Sequence, residues 1–564
     1  MAVSFRILSP LLASLLVLPV TGCDDDPTPA PPDAGEPDSG SPDAGSPDSG
    51  SPDSGPPDAG PYVWDGTYTE MADPGDWLDP GAPYAPCTFD TTNAGAGACE
   101  ELTRFDLSQC DRDALAAIPQ EGIYETVNRN QVALMDGGVR FTVGAIGFRL
   151  QGEDAGTSTM FDTPLLHRNT QGGTFAVTGQ STRTATTYAM MGCKTPAPHV
   201  ITGCFAVCRR GTFLRVGTFE AHRVAKRAGE SESSGGLTLL SEHRAASGHA
   251  VDVYVTKGHA YVVSLDFKDK PGGLTVFDVS NPRAPVLRSS ISLPGNTNWN
   301  GVWAKGDALY IAGLSTGTHV YDISNPATPT LVRIMPAGRS GMHTVLVDGD
   351  RLYGSGTGVG THVYDITQPL NPILRTVFTL PEDVNMGDPH DSFSYEGRLY
   401  ISNSGGGYTV VDPSDLDNIK VLGTYMRPAP EEFAHHNAVG TFGGKTIAFE
   451  GGEFNGSHVR VLDVTNPARI VKIGEFRMRQ TTSMHNMILR GNLLYVAWYQ
   501  EGLRVLDVSN PTKPKQVAHY QTFREEDPDR GDSLFEGAFG IRVPGDGYAY
   551  VADSSRGLLI FKEL

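Results

Sequence analysis

One decapeptide, written over and over, limits what this chain can fold into. It reads GLRVLDVSNP at Gly502–Pro511, GLTVFDVSNP at Gly273–Pro282, GTHVYDISNP at Gly317–Pro326, GTHVYDITQP at Gly360–Pro369 and HVRVLDVTNP at His458–Pro467. A worn copy, GYTVVDPSDL, runs from Gly407 to Leu416, and a truncated one, GLLIFK, spans Gly557–Lys562. The repeated Asp falls at 278, 322, 365, 412, 463 and 507, with Lys562 in its place in the last copy. Successive gaps of 43 to 55 residues match the period of propeller blades rather than helical solenoids. β-Branched and aromatic residues fill each copy, which is strand chemistry.

A hairpin pattern precedes each copy, as in VDVYVTKGHAYVVS (Val251–Ser264) and MILRGNLLYVAW (Met487–Trp498). The Asn-Pro stops the strand, because proline cannot donate to a ladder. A fourth run follows, such as VLRSSISL at Val286–Leu293. Each repeat therefore predicts four antiparallel strands, and radial packing buries the faces that one such sheet cannot bury alone. The recurring Asp is expected to accept backbone N–H bonds in the Ser/Thr turn that follows it. Inner strands are expected to start near 249, 300, 343, 391, 436, 485 and 538. The last repeat lacks a fourth strand, and GLTLLSEH (Gly236–His243) is the spare one. The prediction is an all-β, seven-bladed propeller over residues 236–564, closed by an N-terminal outer strand, which removes two open edges.

These residues resemble the LVIVD repeat family of secreted or surface-attached bacterial and archaeal propellers. The resemblance implies the fold and an extracytoplasmic address, and it carries no single chemistry. Propellers host binding proteins and enzymes alike.

Residues 1–22 read as a secretory signal: Arg6, then the apolar Leu11–Val20, then small residues before Cys23. Val20-Thr21-Gly22-Cys23 resembles a bacterial lipobox, which implies lipidation at Cys23 and a cell-envelope location, periplasmic or surface-facing. The lipid is then the expected membrane attachment. After Cys23 and three aspartates, Pro27–Pro61 is mostly Pro, Asp, Gly, Ser and Ala in pentads with nothing to bury, so residues 23–61 are expected to be the lipidated Cys and a disordered tether. Ten of the carboxylates behind the net charge of −21 lie in Asp24–Asp58. The acidic balance argues against a nucleic-acid partner.

Residues 62–235 hold Cys87, Cys99, Cys110, Cys193, Cys204 and Cys208. Outside the cytoplasm these read as disulfides, and six cysteines allow 15 pairings among which the sequence does not choose. Gly122–Val127, Val139–Leu150, Thr187–Cys193 and Phe213–Ala225 read as strands, Asp111–Ile118 as a short helix, and Lys226–Gly235 as a polar link. The expectation is a small, β-rich, disulfide-braced domain.

The entries to the inner strands carry His249, Asn300, His343, His390, His435 with His436, and His485, which should converge around the axis. Neighbouring loops bring Glu450, Glu453, Trp498, Tyr499, Glu501, Asp553 and Arg556, and Glu536 sits at the last entry. These polar residues can cap strand ends, or several imidazoles with carboxylate can hold a transition-metal ion, since that donor set suits Zn, Cu, Fe or Ni. His319 and His362, in repeated GTHVYD words, read as strand surface. Two functions stay open. One is a binding or scaffolding lipoprotein offering its propeller face to a protein, peptide or glycan, with Trp299, Trp498 and Tyr499 near that face. The other is a metal-dependent envelope enzyme, an oxidoreductase or lyase, using the His-rich mouth.

Overall fold

The computed structural model describes residues 63–118, 121–227, 229–336, 341–381, 387–428 and 433–564. The signal segment, Cys23 and the tether lie outside the described residues. Seven antiparallel sheets span residues 249–291, 299–335, 342–378, 391–425, 434–476, 487–520 and 538–562, numbered here as blades 1 to 7. Their innermost strands adjoin in order, and that of blade 7 adjoins that of blade 1, so the ring is closed.

The decapeptide builds this wheel residue by residue. Its glycine opens the third strand of a blade at positive φ, +145° at Gly273 and +77° at Gly502. A Cβ there would lie 2.2 Å from the Ile291 carbonyl oxygen or 2.4 Å from that of Tyr520, so only glycine fits. The Asp closes the third strand with the expected turn: Oδ1 of Asp278, Asp322, Asp365, Asp412, Asp463 and Asp507 each accepts from the backbone N–H two residues on, at 2.7 to 3.1 Å. The motif proline links neighbouring blades. Its carbonyl accepts from a tyrosine of the preceding blade, Tyr261 to Pro326 at 3.0 Å and Tyr310 to Pro369 at 2.7 Å. Apolar faces interleave between blades, as where Trp299, Val302, Leu309 and Ile311 pack on Val251, Tyr261 and Val263.

Leu239–His243 pairs antiparallel with Gly557–Lys562, register Leu239 to Phe561, and supplies the fourth strand of blade 7. The segment before it is more than a link. Ser233–Ser234 adds a fifth strand to blade 6, and Arg227 and Glu230 pair with Glu501 and Arg504.

The cysteine-bearing region is a nine-stranded sheet ordered 163–164, 159–160, 139–150, 122–133, 212–223, 200–209, 186–197, 176–181, 167–169. It curls until its ends meet: Leu166 N–H donates to Thr178 O at 2.8 Å and Thr163 Oγ1 to Gln180 O at 3.1 Å. Residues alternate between its faces. Phe205 and Val207 enter the inner core with Tyr124, Phe148 and Phe219, whereas Cys204, Ala206 and Cys208 face outward. Cys87–Cys204, Cys99–Cys208 and Cys110–Cys193 tie residues 87–110 over that outer face. The helix forms at Arg112–Ala116 with Asp111 as its N-cap.

Residues 63–78 lie on the propeller, and Asp79 reaches the sheet, where it pairs with Arg129 at 2.7 Å. Trp64 enters the core between blades 5 and 6, and Met71 N–H donates to Lys472 O at 2.8 Å. The strap is clamped by charge: Asp73 to Arg460 and Lys472, Asp76 to Arg427, Arg460 and His458.

Candidate functional site at the propeller hub

The inner strands of blades 1, 2, 3, 5 and 7 begin with bulges, which re-aim the first side chains. Register slips between Met342 and Val345 in blade 3 and between Ala434 and His436 in blade 5. Four imidazoles from blades 3 to 6 form an arc, His390 and His485 from just ahead of unbulged strands, with centroids of His343 and His390 at 3.8 Å, His390 and His435 at 4.2 Å, and His435 and His485 at 4.3 Å. Glu453, from the loop between the second and third strands of blade 5, points into this arc. Its Oε2 lies 3.8 Å from His435 Nε2 and its Oε1 3.9 Å from His485 Nε2. The Tyr499 hydroxyl donates to Glu453 Oε1 at 2.5 Å.

The hydrogen bonds set tautomers. His485 Nδ1 donates to the Phe539 carbonyl at 2.9 Å, which leaves a lone pair on Nε2 facing Glu453. His390 Nδ1 meets Asp391 Oδ2 at 2.8 Å, and its Nε2 is buried with no hydrogen-bond partner. His435 is only 1% exposed, and its Nδ1 also lacks a hydrogen-bond partner. Burial disfavours charge here. It drives His343, His390 and His485 down to about 3 and His436 to about 4, and it lowers His435 well below the ordinary value with further repulsion from its neighbours. It pushes Glu453 up to about 7 against the Tyr499 hydrogen bond. The imidazoles are therefore neutral at neutral pH, the form that binds metal.

Half-buried Phe433, Phe454 and Phe535 make a collar beside the arc: Phe433 edges His390 at 5.4 Å, and Phe454 lies 5.1 and 5.9 Å from the other two. Phe454 and Tyr499 hold positive φ, +98° and +29°. Such strain concentrates at functional sites.

The remaining expected residues fall elsewhere. His249 faces Glu536, Nδ1 to Oε1 3.7 Å, and stacks on Phe267 away from the arc. Asn300 donates to the His343 carbonyl at 3.0 Å, and His436 Nδ1 accepts from Met487 N–H at 3.4 Å. Glu450 lies inside the blade, 3.6 Å from Arg427 Nε, rather than at the hub. His319 and His362 are buried, not strand surface; Asn296 Nδ2 lies 3.0 Å from His319 Nε2. Trp299, Trp498 and Tyr499 are fully buried, so they present no face to a partner. Sequence reasoning passed over Asp391, although PHDSF sets it beside the entry histidine. It also missed the collar, whose phenylalanines come from three separate connections and share no spacing.

The nine-stranded sheet sits on this same end of the propeller, along blades 5 to 7. Asn455 donates to Thr126 O at 3.1 Å, Gln500 to Glu125 Oε1 at 3.1 Å, and Asp162 N–H to Asp532 Oδ1 at 2.8 Å. Arg223 pairs with Glu525.

Fold and hub together define a seven-bladed β-propeller, an architecture that serves widely as a binding scaffold. Four of its blades match the LVIVD repeat model, at residues 247–292, 296–335, 483–522 and 538–561, in blades 1, 2, 6 and 7. No curated protein matches the chain. Among solved structures it is similar to the computationally designed Ika8 protein, at 8% identity and a TM-score of 0.40 over 58% of this chain and 99% of that one. It is likewise similar to the WD40 β-propeller domain of Doa1, at 12% identity and a TM-score of 0.42 over 58% and 98%.

Proposed function

We propose that this protein is a metal-dependent enzyme of the bacterial cell envelope, with a transition-metal ion held at the propeller hub by His435, His485 and Glu453. The 3.8 and 3.9 Å separations of Glu453 from the two Nε2 atoms carry this reading. Donors on a tetrahedral ion at about 2.0–2.1 Å stand roughly 3.4 Å apart, and the ligating atoms of the three residues lie within 4.8 Å of one another, so closing on an ion takes shifts of up to about an ångström. Three protein ligands leave a position for water or substrate, as catalytic rather than structural sites do. A bound ion would supply Lewis acidity or an electron-transfer centre, which suits a lyase or an oxidoreductase. The chain's own residues orient the donors: the Phe539 carbonyl through His485, and Tyr499 through Glu453. The phenylalanine collar limits water around them. The scaffold reading, a face for a protein, peptide or glycan, ranks second because its aromatic anchors are buried.

The address rests on sequence: a signal in residues 1–22, a lipid on Cys23 and a tether to residue 61, in keeping with three disulfides, which persist outside the cytoplasm. Labelled palmitate should enter the wild type and not Cys23→Ser.

The test of the hub is metal analysis of untagged protein purified without chelator. At least about one equivalent of Zn, Cu, Fe or Ni is expected, falling roughly tenfold or more in His435→Ala and Glu453→Gln. Equal, near-zero metal in all three would end the proposal.

A further inference from the structure

We propose that the hub takes two transition-metal ions, the second held by His390 and Asp391 and joined to the first through the ring of His435. This rests on the hub being a metal site at all, and it adds a second position that the three-ligand reading leaves out.

Two groups of donors lie side by side. His435, Glu453 and His485 offer ligating atoms within 4.8 Å of one another, and so do His390, Asp391 and His435. The groups share only His435. That ring has a nitrogen for each: Nε2 faces Glu453, while Nδ1 is buried without a hydrogen-bond partner. A polar atom taken out of water and left unbonded costs free energy, and a second ion would give this one a bond. His390 shows the same lack, with Nε2 buried and unbonded on a side chain 8% exposed.

Charge points the same way. Asp391 is a carboxylate among imidazoles, and among the described residues its one ion-pair partner is His390. The groups near it include His343, His436, the Thr344 hydroxyl and the carboxyls of Asp252 and Glu453. Among the described residues no lysine or arginine pairs with it, so a divalent cation is the natural counter-charge for a half-buried carboxylate there. Occupancy of both His435 nitrogens releases the ring N–H proton to solvent, leaving an imidazolate between two cations. No oxidant or reductant is needed.

Apo protein, stripped with chelator and titrated with Cu²⁺ alone, gives the test. Two ions per chain are expected, with an EPR intensity below that of two isolated Cu(II) centres because ions on one imidazolate couple. Asp391→Asn should take up one ion with the full signal of a single centre. Uptake of one ion by the wild type, unchanged in Asp391→Asn, overturns the second position and leaves the first standing. Two ions with the full signal of isolated centres overturn the shared ring. No uptake overturns this inference and the metal reading together.

Discussion

At the scale of single residues, the Arg460 guanidinium holds the strap to blade 5. It is fully buried against Asp73 and Asp76, with Nε to Asp73 Oδ2 at 2.6 Å and Nη1 to Asp76 Oδ1 at 2.8 Å. Burial alone would raise both carboxyls, but Arg460, with Lys472 and Arg427, holds them well below the usual carboxylate range. Breaking a buried pair from one side strands the other charge, so Arg460→Met should destabilise the protein by about 3–5 kcal/mol in chemical denaturation. The motif aspartates differ. Asp322 is solvent-exposed and fixes only its turn, so Asp322→Ala should barely move the same midpoint. Both the motif Asp and its role were readable, because an Asx-turn is local and repeated. The partners of Arg460 were not: they lie 384 and 387 positions away in sequence, and nothing in HVRVLDVTNP names them.

Elements tell the same story one level up. Blade count, strand order and the closing strand follow from a period, a stop signal and one missing run, all visible in the chain. The fifth strand at Ser233–Ser234 and the strap at 63–80 were invisible, since neither segment has a strand period and each docks on partners far away in sequence, the strap through Trp64 in the core as well as through charge. Removing residues 233–243 should leave Gly557–Lys562 as a bare edge. Light scattering should then report self-association at concentrations where the intact chain stays monodisperse. The strap has its own pH dependence. The Asp73 and Asp76 carboxyls are lowered on docking, so their contribution is present above the free carboxyl value of about 4 and is lost as pH falls below it. Proteolysis within 63–80 should accelerate on acidification from about pH 5 to pH 3, measured with an acid-stable protease.

Over the whole molecule, the disulfide-braced sheet and the propeller meet through carboxyls that respond in the opposite sense. Burial raises Glu125, with Asp532, Glu536 and Asp162 adding repulsion and Gln500 opposing. Burial also raises Asp162, with Glu536 adding to it and Lys268 and His249 opposing, and it raises Asp532 facing Asp162, with Thr159 and Arg149 opposing. Raised carboxyls favour docking below their free value of about 4, and that contribution fades as pH climbs through the raised values. Amide protection factors, corrected for intrinsic base-catalysed exchange, should therefore be higher in residues 122–133 and 523–536 at pH 5 than at pH 8, and Asp532→Asn should flatten the difference. A rise in protection toward pH 8 would contradict this account. Six cysteines announced the braced sheet, and the entry histidines announced the hub. That the one lies over the other depends on Glu125, Asp162 and Arg223 meeting loops some 300 to 400 residues downstream, a relation no local pattern records.

The strap has a mechanical meaning as well. Tension applied ahead of Trp64 is borne first by blades 5 and 6, at the Trp64 core contact and then at the Arg460 clamp. The seam between Leu239–His243 and Gly557–Lys562 is spared until the clamp yields. A wheel hung this way can be tugged without being unzipped.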